Sequence, residues 1–82
     1  MNNTKLKKIF NISFHKYKYL LFCIEEYKKA RGLSGKEAYA LFEKYNFFDY
    51  ILDLYEILHI QGTRYLLEEL DEYRAYKDAQ GA

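Results

Sequence analysis

Proline is absent from this chain, tryptophan is absent too, and glycine appears only four times in 82 residues. A sheet of many strands needs the turns that glycine and proline supply, so their scarcity points toward a few helices instead. The single cysteine, Cys23, excludes an internal disulfide framework, and no C-x-x-C or H-x-x-x-H spacing offers a zinc site. A reducing cytoplasm is the expected setting. The longest strictly apolar run, Tyr19 to Ile24, falls far short of the roughly 20 residues that a membrane-spanning helix needs. The N-terminus has lysines but then mixes Asn, Ser, His and Lys into its hydrophobics, so a signal peptide and a membrane anchor are not expected. Catalytic signatures are missing as well. There are no carboxylates paired across a cleft, no nucleophile beside a base and no cofactor loop, which predicts a protein that is not an enzyme and holds no cofactor and no metal.

What is present is hydrophobic and aromatic. Half of the residues are apolar, 30% are charged, and 6 Phe with 10 Tyr make 20% of the chain aromatic, a composition that folds. Its length fits one small domain, which buries roughly 60% of its unfolded surface. Net charge is only +1, yet residues 1–31 carry eight basic side chains against Glu25 and Glu26, whereas residues 32–82 carry five basic against ten acidic. The halves therefore stand at +6 and −5. Such asymmetry fits a nucleic-acid or acidic-partner surface at one end and a basic-partner surface at the other, or two halves that attract each other within the fold or between protomers.

Glycines and caps divide the chain into a basic N-terminal segment, 1–12, a single all-α domain over 13–77 resembling a small four-helix bundle, and a frayed end, 78–82. Ser13 is placed to cap a first helix that Gly32 stops, with Tyr17, Leu20, Ile24 and Tyr27 on one stripe. Ser34-Gly35-Lys36-Glu37 has the form of a capping box and starts a helix over 35–45 that buries Ala38, Leu41, Phe42 and Tyr45, with Asn46 ending it. The same residues do not make a phosphate loop, because the upstream glycine and strand are missing. Asp49 is expected to cap a third helix, 49–60, with Ile51, Leu54, Tyr55 and Leu58 buried and Asp49, Asp53 and Glu56 opposite. Thr63 is expected to cap the last helix, 63–77, with Leu66, Leu70 and Tyr73 inward.

Few side chains stand out for function. His59 lies in the last turn of the third helix, where a protonated ring is favoured by the exposed carbonyls, and with Gln61 and Gly62 it builds either a turn or a partner contact. Cys23 reads as a small core hydrophobe. The tyrosines suit core packing with hydroxyls at the rim, or a stacking platform for bases. Phe22 breaks the pattern, since it projects among Lys18, Glu25, Glu26 and Lys29 on what should be a solvated face. Its expected cover is a second protein chain or the segment in which Leu6, Ile9 and Phe10 recur at helical spacing.

A further pattern runs through Phe22-Cys23-Ile24-Glu25, Leu33-Ser34-Gly35-Lys36-Glu37, Leu41-Phe42-x-Lys44-Tyr45, Asp49-Tyr50-Ile51, His59-x-Gln61-Gly62 and Tyr65…Glu68-Glu69-Leu70-Asp71-Glu72-Tyr73. This stretch, Leu21 to Tyr73, resembles a bacterial family of short domains of unknown function. Members of that family are often encoded beside ADP-ribosyltransferase-like proteins in apparent toxin and antitoxin pairs. The resemblance implies a small antitoxin-like protein whose partner is such a toxin, and it supplies no catalytic residue.

Two functions follow as expectations. The first is a cytoplasmic interaction module, monomeric or homo-oligomeric, that holds a basic partner through Phe22, Asp49, Asp53, Glu56, His59 and Gln61. The second is a nucleic-acid-binding protein that sets Lys5, Lys7, Lys8, Lys16 and Lys18 against phosphates. Helices two and three imitate a helix-turn-helix, but Asp49, Asp53 and Glu56 on the would-be recognition helix repel phosphate, which favours the first function.

Overall fold

The computed structural model describes residues 13–81, and these form five helices with no strand among them. They are α1 (Phe14–Arg31), α2 (Gly35–Lys44), α3 (Phe47–Asp53), α4 (Tyr55–Leu58) and α5 (Thr63–Ala79). The all-α, bundle-like architecture is the expected one, with the third expected helix divided into α3 and α4. Where residues 1–12 lie, and so whether they cover Phe22, falls outside the described residues.

Local chemistry sets the first two helices. Ser13 caps α1 by accepting from the Lys16 N–H at 3.2 Å. Gly32 ends that helix in the left-handed region at φ 64°, and the Leu33 N–H reaches back to the Lys28 carbonyl at 3.0 Å, closing a Schellman turn that a residue with a Cβ adopts only under strain. The capping box at α2 is complete. The Glu37 N–H donates to the Ser34 hydroxyl at 3.1 Å while the Ser34 N–H donates to the Glu37 carboxylate at 2.8 Å.

Several expected caps and boundaries differ. The third helix starts at Phe47, and its N-cap is Asn46, held at φ 58° with no side-chain capping bond, so Asp49 lies in the first turn instead of capping it. Asn46 tolerates that conformation better than most residues, which lets the chain turn sharply after α2. At Leu54 the helical dihedrals lapse (φ −107°, ψ 15°) and α4 begins at the next residue. The last helix is preceded by Gly62, without a side-chain cap, so Thr63 is its first residue and not its cap. It continues to Ala79, past the expected end at 77.

One core joins the helices. Leu20, Cys23 and Tyr27 from α1 meet Phe42, Phe47, Ile51, Leu58, Leu66 and Leu70 from the rest. At its centre Phe42 and Phe47 pack edge to face at 5.0 Å and 85°, and the Tyr27 ring meets each of them in the same way at 5.8 and 5.7 Å. Full burial of side chains this size is worth about 1.5–3 kcal/mol each, which makes this aromatic centre the main source of cohesion. On α1 Leu20, Ile24 and Tyr27 of the expected stripe face the core and Cys23 is fully buried, as expected, whereas Tyr17 is 47% exposed.

The C-terminal helix is tied down by tyrosines. Tyr27 of α1 donates its hydroxyl to Asp71 at 2.9 Å, Tyr45 after α2 donates to Asp78 at 2.8 Å, and Tyr50 of α3 donates to Glu69 at 2.9 Å. Arg31 forms an ion pair with the second oxygen of Asp71. Part of the acidic charge of the C-terminal half is thus engaged inside the fold, in bonds to charged acceptors that are stronger than neutral ones.

Candidate protein-interaction surface

The residues singled out in the sequence separate into two groups on the folded chain. Phe22 lies on the outside of α1, 43% exposed, and its ring stacks on Tyr19 at 5.9 Å and 26°. Tyr19 in turn meets the Tyr55 ring of α4 edge to face at 5.5 Å and 80°. Tyr55 carries the His59 ring on its other side, nearly parallel at 4.3 Å and 4°. Four rings therefore form one continuous row from the middle of α1 to the end of α4. Lys16, one turn before Tyr19, places its ammonium 5.4 Å from the centre of the Tyr55 ring.

The row is held in place from below. Tyr19 packs against the buried core, so the first link between α1 and α4 is structural while its two ends, Phe22 and His59, stay accessible. His59 is fixed twice, by its stack on Tyr55 and by Nδ1, which lies 2.7 Å from the Tyr55 carbonyl oxygen. A carbonyl only accepts, so Nδ1 carries the proton in this bond and, in the neutral ring, Nε2 is the acceptor left for a partner. Burial pushes the Tyr19 hydroxyl well above its ordinary range, with Cys23 adding to the effect, and pushes the Cys23 thiol up to about 12. Both groups are neutral near pH 7. The row thus offers ring faces and hydrogen bonds to a partner, with the Lys16 ammonium against the Tyr55 ring.

The acidic residues are spread along the chain before and after Tyr55. Asp53 ends α3 and Glu56 follows Tyr55 on α4, both exposed, whereas Asp49 is half-buried in the first turn of α3. Gln61 is exposed in the turn after His59, and its N–H donates to the Leu58 carbonyl at 3.1 Å. Of the lysines set against phosphates, Lys16 joins the row and Lys18 lies over the Phe14 ring at 5.3 Å, while Lys5, Lys7 and Lys8 lie outside the described residues. Sequence reasoning singled out Phe22 and His59 but not Tyr19 and Tyr55, which connect them. Only the tyrosine at 55, four residues before His59 on one helix face, left a readable signal.

A second exposed apolar region lies on another side of α1. Tyr17, Leu20 and Leu21 line a groove of about 170 Å³ with Tyr39 and Glu43 of α2 and Phe48 of α3. Among the described residues no helix is long and apolar enough to cross a membrane, and no cluster of three or more His, Cys, Asp or Glu side chains is arranged to hold a metal ion.

A family model described as a protein of unknown function (DUF3791) matches residues 18–75, a span that contains every ring of the row. No curated protein and no solved structure matches the chain.

Proposed function

The chain belongs to this family of proteins of unknown function, and from that premise we propose that it is an antitoxin-like protein-interaction module without catalytic activity. The observation that carries this reading is the aromatic row, with Phe22 exposed among charged neighbours at one end and His59 at the other. Rigid aromatic anchors at the centre of a surface supply most of the affinity in protein interfaces. Asp53 and Glu56 add negative charge that steers and orients a basic partner, and Gln61 and the His59 Nε2 offer directional hydrogen bonds. The resemblance to short domains encoded beside ADP-ribosyltransferase-like proteins supplies the partner: a toxin of that kind, held in the cytoplasm.

Co-expression with an ADP-ribosyltransferase-like protein, the proposed partner, tests the proposal. A stable complex that survives purification is expected, and Phe22→Glu should abolish it while leaving the helical circular dichroism unchanged. Failure of the wild-type pair to associate would refute the partner. Binding to random DNA that falls steeply with salt and is lost in Lys16→Glu would support nucleic-acid binding in its place.

A further inference from the structure

The apolar groove on α1 opens beside the point where residues 1–12 join the fold. Tyr17, Leu20 and Leu21 of α1 line it with Tyr39 and Glu43 of α2 and Phe48 of α3, leaving a recess of about 170 Å³. Leu20 is buried, whereas Tyr17 is 47% exposed, Leu21 50% and Tyr39 55%. Phe14 is 70% exposed and stands three residues before Tyr17, so an apolar strip runs from the first turn of α1 into the groove. Contiguous exposed apolar surface of this kind marks a binding face. The aromatic row on another side of α1 offers no such recess, because each of its rings packs on the next.

We propose that the chain's own Leu6, Ile9 and Phe10 fill this groove, the segment before Ser13 turning back along α1. Chain length allows it. Leu21 follows Ser13 by eight residues, about 12 Å along the helix, while Phe10 can lie up to about 10 Å from Ser13 and Leu6 up to about 25 Å. Phe10 therefore reaches the level of Tyr17, and Leu6 that of Leu21. A segment tethered one turn from the groove meets it at an effective concentration of millimolar order, which favours it over the same segment of another chain. Charge agrees. Residues 1–12 carry Lys5, Lys7 and Lys8 and no acid, and Glu43 is the one charged residue among the described residues that line the groove. The inference does not rest on the toxin reading, since Phe22 stays open on another side of the helix.

The test is nuclear Overhauser spectroscopy on the isotope-labelled full chain. The side chains of Leu6 and Phe10 should give cross-peaks to the Tyr39 and Phe48 rings. In a mixture of labelled and unlabelled chains these should be absent from the spectrum filtered for contacts between molecules. Cross-peaks that persist there would assign the groove to the segment of a second copy and overturn the proposal. So would cross-peaks from Leu6 or Phe10 to Phe22 in place of the groove, or none from either residue to the groove rings. Phe10→Ser should also lower the melting temperature by at least about 4 °C, and by less than half as much in a Tyr39→Ser background, where the groove has lost one wall. An unchanged melting temperature, or losses that simply add, would count against the contact.

Discussion

Replacing Tyr27 with Phe removes the hydroxyl through which α1 meets Asp71 and Arg74 of α5. The ring is fully buried and keeps its edge-to-face contacts with Phe42 and Phe47, so the substitution leaves packing intact and deletes only the hydroxyl that donates to Asp71 at 2.9 Å. A hydrogen bond to a charged acceptor contributes about 1.5–3 kcal/mol. Asp71 is only partly buried and retains its ion pair with Arg31, so the lower end applies and the expected loss is about 1.5 kcal/mol. In a domain of this size that corresponds to a fall in melting temperature of roughly 6–12 °C. Urea unfolding followed by circular dichroism measures it, and the slope of the transition should stay constant because the surface exposed on unfolding is unchanged. A double-mutant cycle with Asp71→Asn then separates the Tyr27–Asp71 coupling from that of Arg31. A loss below about 0.5 kcal/mol, the level of an ordinary surface change, would show that the phenol–carboxylate bonds do not hold α5.

Other consequences follow from the same geometry. Ser34→Ala removes half of the capping box and should cost about 1 kcal/mol, seen as a fall of roughly 4–8 °C in the melting temperature; no change would mean that α2 does not depend on its cap. Asn46 holds φ 58° with its carboxamide oxygen buried and without a hydrogen-bond partner, so Asn46→Gly should raise stability while Asn46→Ala lowers it by about 1 kcal/mol, and the reverse order in thermal melts would contradict the strain argument. Stability should also fall in alkali. Burial pushes Cys23 from its ordinary 9.0 to about 12, and burial together with the hydrogen bond to Glu69 pushes Tyr50 from 10.0 to about 12. The fold favours the neutral forms of both, so their contribution is complete below about pH 9 and is lost as pH rises toward 12. Melts between those limits should show a progressive decline, reduced in Cys23→Ala, and a flat profile would refute the assignment.

Features written in a few adjacent residues were legible in advance. The Ser13 cap, the Gly32 stop and the Ser34–Glu37 box are local chemistry, and each stands where the sequence puts it. The split between α3 and α4 was not legible, because Tyr50 to Leu58 contains no glycine or proline and nothing marks the lapse at Leu54. Asn46 was recognised as a stop for α2, but its left-handed backbone also opens α3, and that displaced the cap expected at Asp49. The length of α5 and the partners of its acids depend on tyrosines 19 to 44 residues away, which no local pattern reports. The stripe on α1 misled for another reason. That helix is apolar on several sides, so Tyr17 of the stripe is half exposed beside the groove while Leu20, Tyr27 and the partly buried Ile24 face the core. The aromatic row was half legible: Phe22 is conspicuous among charges, whereas its connection through Tyr19 to Tyr55 is a tertiary contact.

The proposal that Phe22 and His59 anchor a toxin is tested most directly by isothermal titration of this chain against the ADP-ribosyltransferase-like toxin proposed as its partner. Wild type should bind with the affinity of a specific complex, and Phe22→Glu, which loses an aromatic anchor worth more than about 2 kcal/mol, should bind at least about thirtyfold more weakly with its helix content intact. Equal affinity for wild type and variant, or no heat of binding from wild type at all, would contradict it.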